Sequence, residues 1–577
     1  MKTTGLLVGI LLVLNSTLAL GQRKLGVRPT ESGGPLKPEE AAYDVTFYEL
    51  NVSVNPADSS IQGSLTVHAK IVHPIDVFVL DLDSLLTVGR VDLLQENGEP
   101  SSLPFEHKNG QIWSRLGGTK QPGEKVTVRV EYGGRPRIAP RPPWVGGFVW
   151  SKTEAGQPWI ATACQTDGAD IWWPCKDHPS DEPDSMAIRV TVPEPLVVAS
   201  NGRLRSVVEN ADHTRTYNWF VSTPINNYGV ALNIAPYRTI EGSYVSVAGD
   251  TIPVTFWVLP ENYDKGVELF PQFSEHLRFY ERLLGPYPFR ADKYGVAETP
   301  HLGMEHQTII AYGNRYRGGP YGYDWLHHHE LGHEWWGNVI TASDWRDMWI
   351  HEGFCSYMQA LYAEELHGME TYHKAMAAMR RRIRNKQPVA PRGSRTSVEI
   401  YYLAPDYVES DGDMYSKGSW ILHTLRYLIG KETLLKALHK MVYPTPELER
   451  ATDGRQCRFV GTDDFITLVN RLTGRDLSWF FEVYLRQPKL PRLVSERHGK
   501  RLSLRWQVPG DLPFPMPVEV KLGDRVRKVE MPGGHAEIEV PKKVEPVLDP
   551  QMWILKANDS KEMKYFQEPN GKKTTKR

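Results

Sequence analysis

From Tyr43 to the 230s, apolar and polar residues alternate along the chain. Leu65, Val67, Ala69 and Ile71 take every second position, as do Val126, Val128, Val130 and Tyr132. A period of two is that of a strand with one buried face, so this region is mostly β. The Gly/Pro/Arg-rich stretch from Gly133 to Gly147 interrupts the alternation and predicts a surface loop. Near residue 240 the period changes: Phe273, Leu277, Tyr280 and Leu284 form a helical stripe that ends at Gly285-Pro286. The helical pattern continues to about Leu485. Beyond Pro491 alternation returns through Leu502, Leu504, Trp506 and Val508, then Val518, Val520 and Leu522. The patterning predicts a multidomain α+β chain. It divides into an amino-terminal β domain over 22–240, a mainly helical domain over 241–490, a small β-sandwich over 491–558 and a polar tail over 559–577.

Length and charge narrow the picture. The chain has 577 residues, enough for about three or four domains. Its net charge is -1, so neither nucleic acid nor an acidic membrane is implied as a partner. Lys2 precedes an apolar run from Gly5 to Leu14, and Ala19-Leu20-Gly21 supplies small residues for cleavage before Gln22. This predicts a secretory signal peptide over 1–21 and an exported protein, periplasmic or extracellular. The run is short for a membrane span and no later segment is apolar enough, so no transmembrane segment is expected in the mature chain. The four cysteines, Cys164, Cys175, Cys355 and Cys457, have no metal-finger spacing.

The chemistry is concentrated at His329-Glu330-Leu331-Gly332-His333. Histidines four apart lie on one face of a helix, about one turn from each other, so both imidazoles can reach one ion. Catalytic zinc takes three protein ligands and leaves a position to water, and His/His/Glu is a recurrent set. Glu352 supplies the third ligand from the segment Trp349-Ile350-His351-Glu352-Gly353-Phe354. Glu330, adjacent to the first ligand and so turned from the ion, is placed to take the proton of the zinc-activated water. The same motif can arise on an ordinary charged helix. Here Leu326, Trp335 and Trp336 make the helix largely apolar, and a buried helix has little reason to carry such residues unless something pairs them. His327 and His328 fall off the motif's register and read as packing residues or as supports behind the ligands, and His351, beside the glutamate ligand, takes the same default.

These residues resemble the gluzincin aminopeptidases, the family of aminopeptidase N and leukotriene hydrolase. The resemblance extends through Glu334-Trp335-Trp336-Gly337-Asn338 and includes Gly303-Met304-Glu305-His306, similar to the family's Gly-x-Met-Glu-Asn signature. Tyr415-Ser416-Lys417-Gly418 resembles its Tyr-x-Lys-Gly segment, and Trp173-Pro174-Cys175-Lys176-Asp177-His178-Pro179 with Gln165 is a weaker match. The resemblance implies a β-saddle amino-terminal domain, a thermolysin-like catalytic domain and a carboxy-terminal β-sandwich. It implies one zinc per chain and removal of amino-terminal residues from peptides. Glu305 would grip the free α-amine, beside Gly303, Met304 and His306. Tyr415 would donate to the oxyanion, and Gln165 would bind the substrate backbone. His306 replaces the family's asparagine; a neutral histidine can still donate or accept a hydrogen bond, so the amine site is expected to survive, whereas a ring that gained a charge near neutral pH would repel the substrate ammonium. A lipid epoxide hydrolase with the same zinc site and a non-catalytic peptide-binding relic remain as alternatives.

Overall fold

The computed structural model describes residues 31–95, 98–403 and 409–557. The segment read as a signal peptide and the polar tail lie outside the described residues. Internal contacts divide the chain into two compact units. The first takes the described residues up to His351 with Gly393–Asp411 and Val442–Gly461; the second takes the remainder.

In the first unit, the alternation of the amino-terminal region becomes an eight-stranded sheet. Tyr43–Asn55 pairs antiparallel with Ser60–Ile71 and parallel with Ser185–Pro193. The register lines Val91, Val130, Leu65, Leu50, Ile188 and Trp219 into one row across six strands. All six are buried. A period-two pattern produces this because every second side chain points to the same face, and a shift of one residue would turn the whole row to solvent.

A second, five-stranded sheet follows, where the sequence pattern predicts mainly helix. Its order is Arg238–Val245, Thr251–Val258, Tyr294–Glu298, Ile310–Tyr312 and Gly303–Met304. Tyr294–Glu298 pairs in parallel with Thr251–Val258 and with Ile310–Tyr312, and both Tyr294–Glu298 and Ile310–Tyr312 are buried along their length. A strand covered on both faces shows no alternation, so periodicity does not reveal it. Helix α1 (Pro271–Leu284) presents the predicted stripe of Phe273, Leu277, Tyr280 and Leu284 as its buried face. It ends at Gly285 with φ 95°, a left-handed turn suited to glycine.

Helix α2 (Trp325–Gly332) is shorter than the sequence suggests. His333 is its C-cap, and Trp335 and Trp336 lie in the buried turn beyond it rather than on the helix. Asp324 starts α2 by accepting from His327 N, and Tyr312 Oη donates to the same carboxylate at 2.6 Å. Helix α3 (Trp349–His367) carries Glu352 in its first turn.

In the second unit, helix α4 (Asp413–Ile429) carries Tyr415. The strands expected beyond Pro491 form two three-stranded sheets. Arg492–His498, Arg501–Gln507 and His535–Glu539 make one; Arg525–Val529, Val518–Leu522 and Pro546–Leu548 make the other. Leu502, Leu504, Trp506, Val518 and Val520 are buried as their alternation predicts. Among the described residues no helix is long and apolar enough to cross a membrane.

Candidate active site

Within the first unit, α2 brings His329 and His333 together. Their rings meet edge to face with centroids 4.9 Å apart, and their Nε2 atoms lie 3.3 Å from each other. His333 donates from Nδ1 to the carbonyl of Trp336 at 2.9 Å. That bond holds the proton on Nδ1 and leaves the Nε2 lone pair directed toward His329, the tautomer a metal ligand requires. Ligand atoms of His333, Glu330 and Glu305 lie within 4.8 Å of one another, and all three residues are buried. Two carboxylates and imidazole lone pairs gathered in a buried space suit cations, both zinc and a substrate ammonium.

Gly303 makes room for Glu330. A Cβ at this position would come within 2.5 Å of Glu330 Oε1 and 2.7 Å of Leu326 Cδ1. The glycine of the motif therefore seats the carboxylate, and Met304 is buried beside it in the same short strand. Glu305 follows that strand. Gln165 Nε2 donates to Glu305 Oε1, so in this structure Gln165 holds the carboxylate that the resemblance assigns to the amine. The loop bearing Gln165 is fixed by Gly146 N donating to Asp167 and by Ser397 Oγ donating to the carbonyl of Thr166, both at 2.5 Å.

His306 is not poised to gain a charge near neutral pH. It is fully buried, and burial, reinforced by His301, pushes its pKa down to about 3. Burial therefore favours the neutral imidazole near neutral pH, where it does not repel an ammonium. His327 and His328 pack as expected. His327 bonds His276 and Tyr294 at 2.8 and 2.6 Å, and Tyr280 donates to the carbonyl of His328 at 2.9 Å. Burial holds both rings well below their ordinary pKa. His351 accepts from Ala342 N at 2.9 Å, again a packing role.

Within the second unit, Tyr415 Oη donates to Glu352 Oε1 at 2.7 Å. The two helices that supply these residues touch at a pair of glycines. A Cβ at Gly353 would stand 2.8 Å from the carbonyl oxygen of Met414 and 3.0 Å from Gly418 Cα. Ser419 Oγ adds a bond to the Gly353 carbonyl at 3.0 Å. The glycines of Glu352-Gly353-Phe354 and Tyr415-Ser416-Lys417-Gly418 are thus the contact that brings Tyr415 to Glu352. Of Trp173–Pro179, Lys176 pairs with Asp181 at 2.7 Å and donates to the Tyr43 carbonyl, a structural tie within the first unit. Cys164 and Cys175 are separate buried thiols.

Sequence reasoning missed Asn338 and Asn226. Asn338 Nδ2 donates to the Glu305 carbonyl at 2.9 Å, and Asn226 Nδ2 donates to Asn338 Oδ1 at 3.1 Å. The only signal was the place of Asn338 at the end of the histidine motif.

A model described as the peptidase M1 N-terminal domain matches residues 45–228, and one described as the peptidase family M1 domain matches residues 325–484. Leucine aminopeptidase 2 of Vanderwaltozyma polyspora is 28% identical over 346 residues, 57% of this chain and 49% of that protein. Leukotriene A-4 hydrolase of Xenopus laevis is 26% identical over 330 residues, 53% of this chain and 50% of the other. Transcription initiation factor TFIID subunit 2 of Drosophila melanogaster is 21% identical over 445 residues, 68% of this chain and 35% of its own. The chain spans about half the length of the leucine aminopeptidases it matches. Among solved structures, an M1 zinc metallopeptidase mutant from Deinococcus radiodurans, bound to a Tyr-Ser-Ala substrate, has the same fold. Its TM-score is 0.63 at 24% identity, covering 80% of this chain and 98% of that one.

Proposed function

We infer, from the premise that this chain belongs to peptidase family M1 and carries its amino-terminal and catalytic domains in order, that it is a zinc aminopeptidase acting on peptides with a free amino terminus. The observation that carries this reading is the convergence of Glu305, Glu330 and His333 within 4.8 Å in the buried interior of one unit. An amine anchor beside the reacting centre limits cleavage to the first peptide bond.

His329, His333 and Glu352 would hold one zinc ion. The tautomer that Trp336 imposes on His333 fits that role. Zinc bound there supplies Lewis-acid polarisation of the scissile carbonyl and acidifies water. Glu305, oriented by Gln165, pairs with the ammonium and sets the register. Glu330 accepts a proton from the water whose oxygen bonds to the carbonyl carbon. As the C–N bond breaks, Glu330 returns that proton to the leaving amine. Tyr415, whose hydroxyl is already ordered as a donor to Glu352, turns that hydrogen bond to the oxyanion.

The names of relatives extend to a leukotriene A-4 hydrolase and a transcription initiation factor subunit, so family membership alone does not fix activity. The residues favour peptide hydrolysis, because the proton acceptor, the amine anchor and the oxyanion donor are all present. The export sequence, Lys2 with Gly5 to Leu14 and Ala19-Leu20-Gly21, supports action outside the cytoplasm.

The deciding experiment is turnover of a fluorogenic aminoacyl library and its amino-terminally acetylated counterparts by the zinc-loaded protein. Cleavage confined to free amines and abolished by a chelator is expected. No turnover of any free aminoacyl substrate points instead to a non-catalytic relic, and equal cleavage of acetylated peptides to an endopeptidase.

A further inference from the structure

If the anchor and the reacting centre define which bond is cut, something must fix the distance between them. Glu305 and His333 lie on separate stretches of chain, and one residue bonds both. Asn338 donates from its backbone N to the His333 carbonyl at 3.0 Å and from Nδ2 to the Glu305 carbonyl at 2.9 Å. Its amide cannot turn over without loss. Oδ1 accepts from Asn226 Nδ2 at 3.1 Å, and Asn226 is itself fixed because its Oδ1 accepts from Gly229 N at 2.7 Å. The two ends of the Asn338 amide are thereby distinguished, with the donor end committed to Glu305.

A second strut runs parallel to the first. Glu334 Oε1 accepts from Thr308 N at 2.8 Å, so the loop after Glu305 is tied to the segment after His333 at two points. Asn338 and Glu334 are fully buried, and Asn226 is 2% exposed. Hydrogen bonds in such surroundings resist rearrangement, because a broken partner is left without water to replace it.

We propose that Asn338 is a positioning residue that sets the spacing between the amine anchor Glu305 and the His333 end of the metal motif, and so restricts cleavage to the first residue. The proposal rests on the aminopeptidase reading. Its chemistry is specific: Asn338→Asp keeps the shape and the acceptor toward Asn226 but removes the donor toward Glu305. A residue that merely stabilised the fold would, when changed, lower activity on free and blocked peptides alike.

The test uses the zinc-loaded full chain. For wild type and Asn338→Asp, kcat and KM are measured on paired free and acetylated substrates, together with zinc content and thermal midpoint. Expected are unchanged zinc content, a raised KM for free peptides, and a preference for free over acetylated substrate reduced by roughly tenfold or more. In a Glu305→Ala background, the same substitution should change the preference by no more than about twofold, because the two act as one unit. If Asn338→Asp does not fold with full zinc, Asn338→Ser, too short to reach the carbonyl, carries the same comparison. A wild type without preference overturns the aminopeptidase reading and this proposal with it. A wild-type preference that the Asn338 variant retains, or an effect that persists in full without Glu305, overturns this proposal alone.

Discussion

Glu330 occupies its place because residue 303 has no side chain. A methyl group there would stand 2.5 Å from its carboxylate oxygen, so Gly303→Ala must displace either the carboxylate or the strand. A positioned base contributes about two to four orders of magnitude. Gly303→Ala is therefore expected to lower kcat by tens-fold or more with little change in zinc content. Glu330→Gln, which removes the base and keeps its shape, should fall by about two to four orders of magnitude. Rates paired with metal analysis check both, and near-normal turnover of Glu330→Gln would mean another group takes the proton. The spacing of His329 and His333 was legible because a helix repeats every three to four residues. The seat at Gly303, the grip of Gln165 on Glu305 and the bracket at Asn338 were not. They join residues brought together only by tertiary folding, which no local period records.

Helices α3 and α4 meet where neither has a Cβ in the way. This contact decides whether Glu352 and Tyr415 share a hydrogen bond, so the chemistry of α4 depends on two residues with no functional groups. Gly353→Ala would press a methyl to 2.8 Å from the Met414 carbonyl oxygen. Overpacking of this kind typically costs about 1–3 kcal/mol. The expected outcome is a lowered thermal midpoint together with a drop in kcat resembling that of Tyr415→Phe, which itself should lose roughly a hundredfold through one oxyanion donor. Unfolding curves and kinetics on the same preparations check this, and full activity in a destabilised Gly353→Ala protein would separate the helix contact from the chemistry. Elements with one solvent face, such as Ser60–Ile71 and α1, were legible from their periods. Tyr294–Glu298 and Ile310–Tyr312 were not, because burial on both faces erases the pattern.

At the scale of the molecule, the interior holds several neutral imidazoles. Burial pushes the pKa of His276 and His306 down to about 3 and that of His301 to about 4; in the second unit His423 is lowered to about 3. Unfolded imidazoles titrate near 6.5. Below about pH 6.5 the unfolded chain therefore binds protons that the folded chain refuses, and stability falls as pH falls toward the folded values. Each such histidine can contribute up to about 1.4 kcal/mol per pH unit in that window. Thermal midpoints measured between pH 7.5 and 4.5 should drop steeply on the acid side, and His306→Asn should flatten the slope while leaving the neutral midpoint in place. A slope unaffected by His306→Asn would show that this ring is charged or exposed.

His329, His333 and Asn338 stand within one uninterrupted run of ten residues, and that run bonds the loop carrying Glu305 at two points. On the proposed role of Asn338, the run would fix the place of the cut together with the loop it grips. The surrounding chain could then drift to alter what is recognised, while the place of the cut would be inherited with the run and that loop.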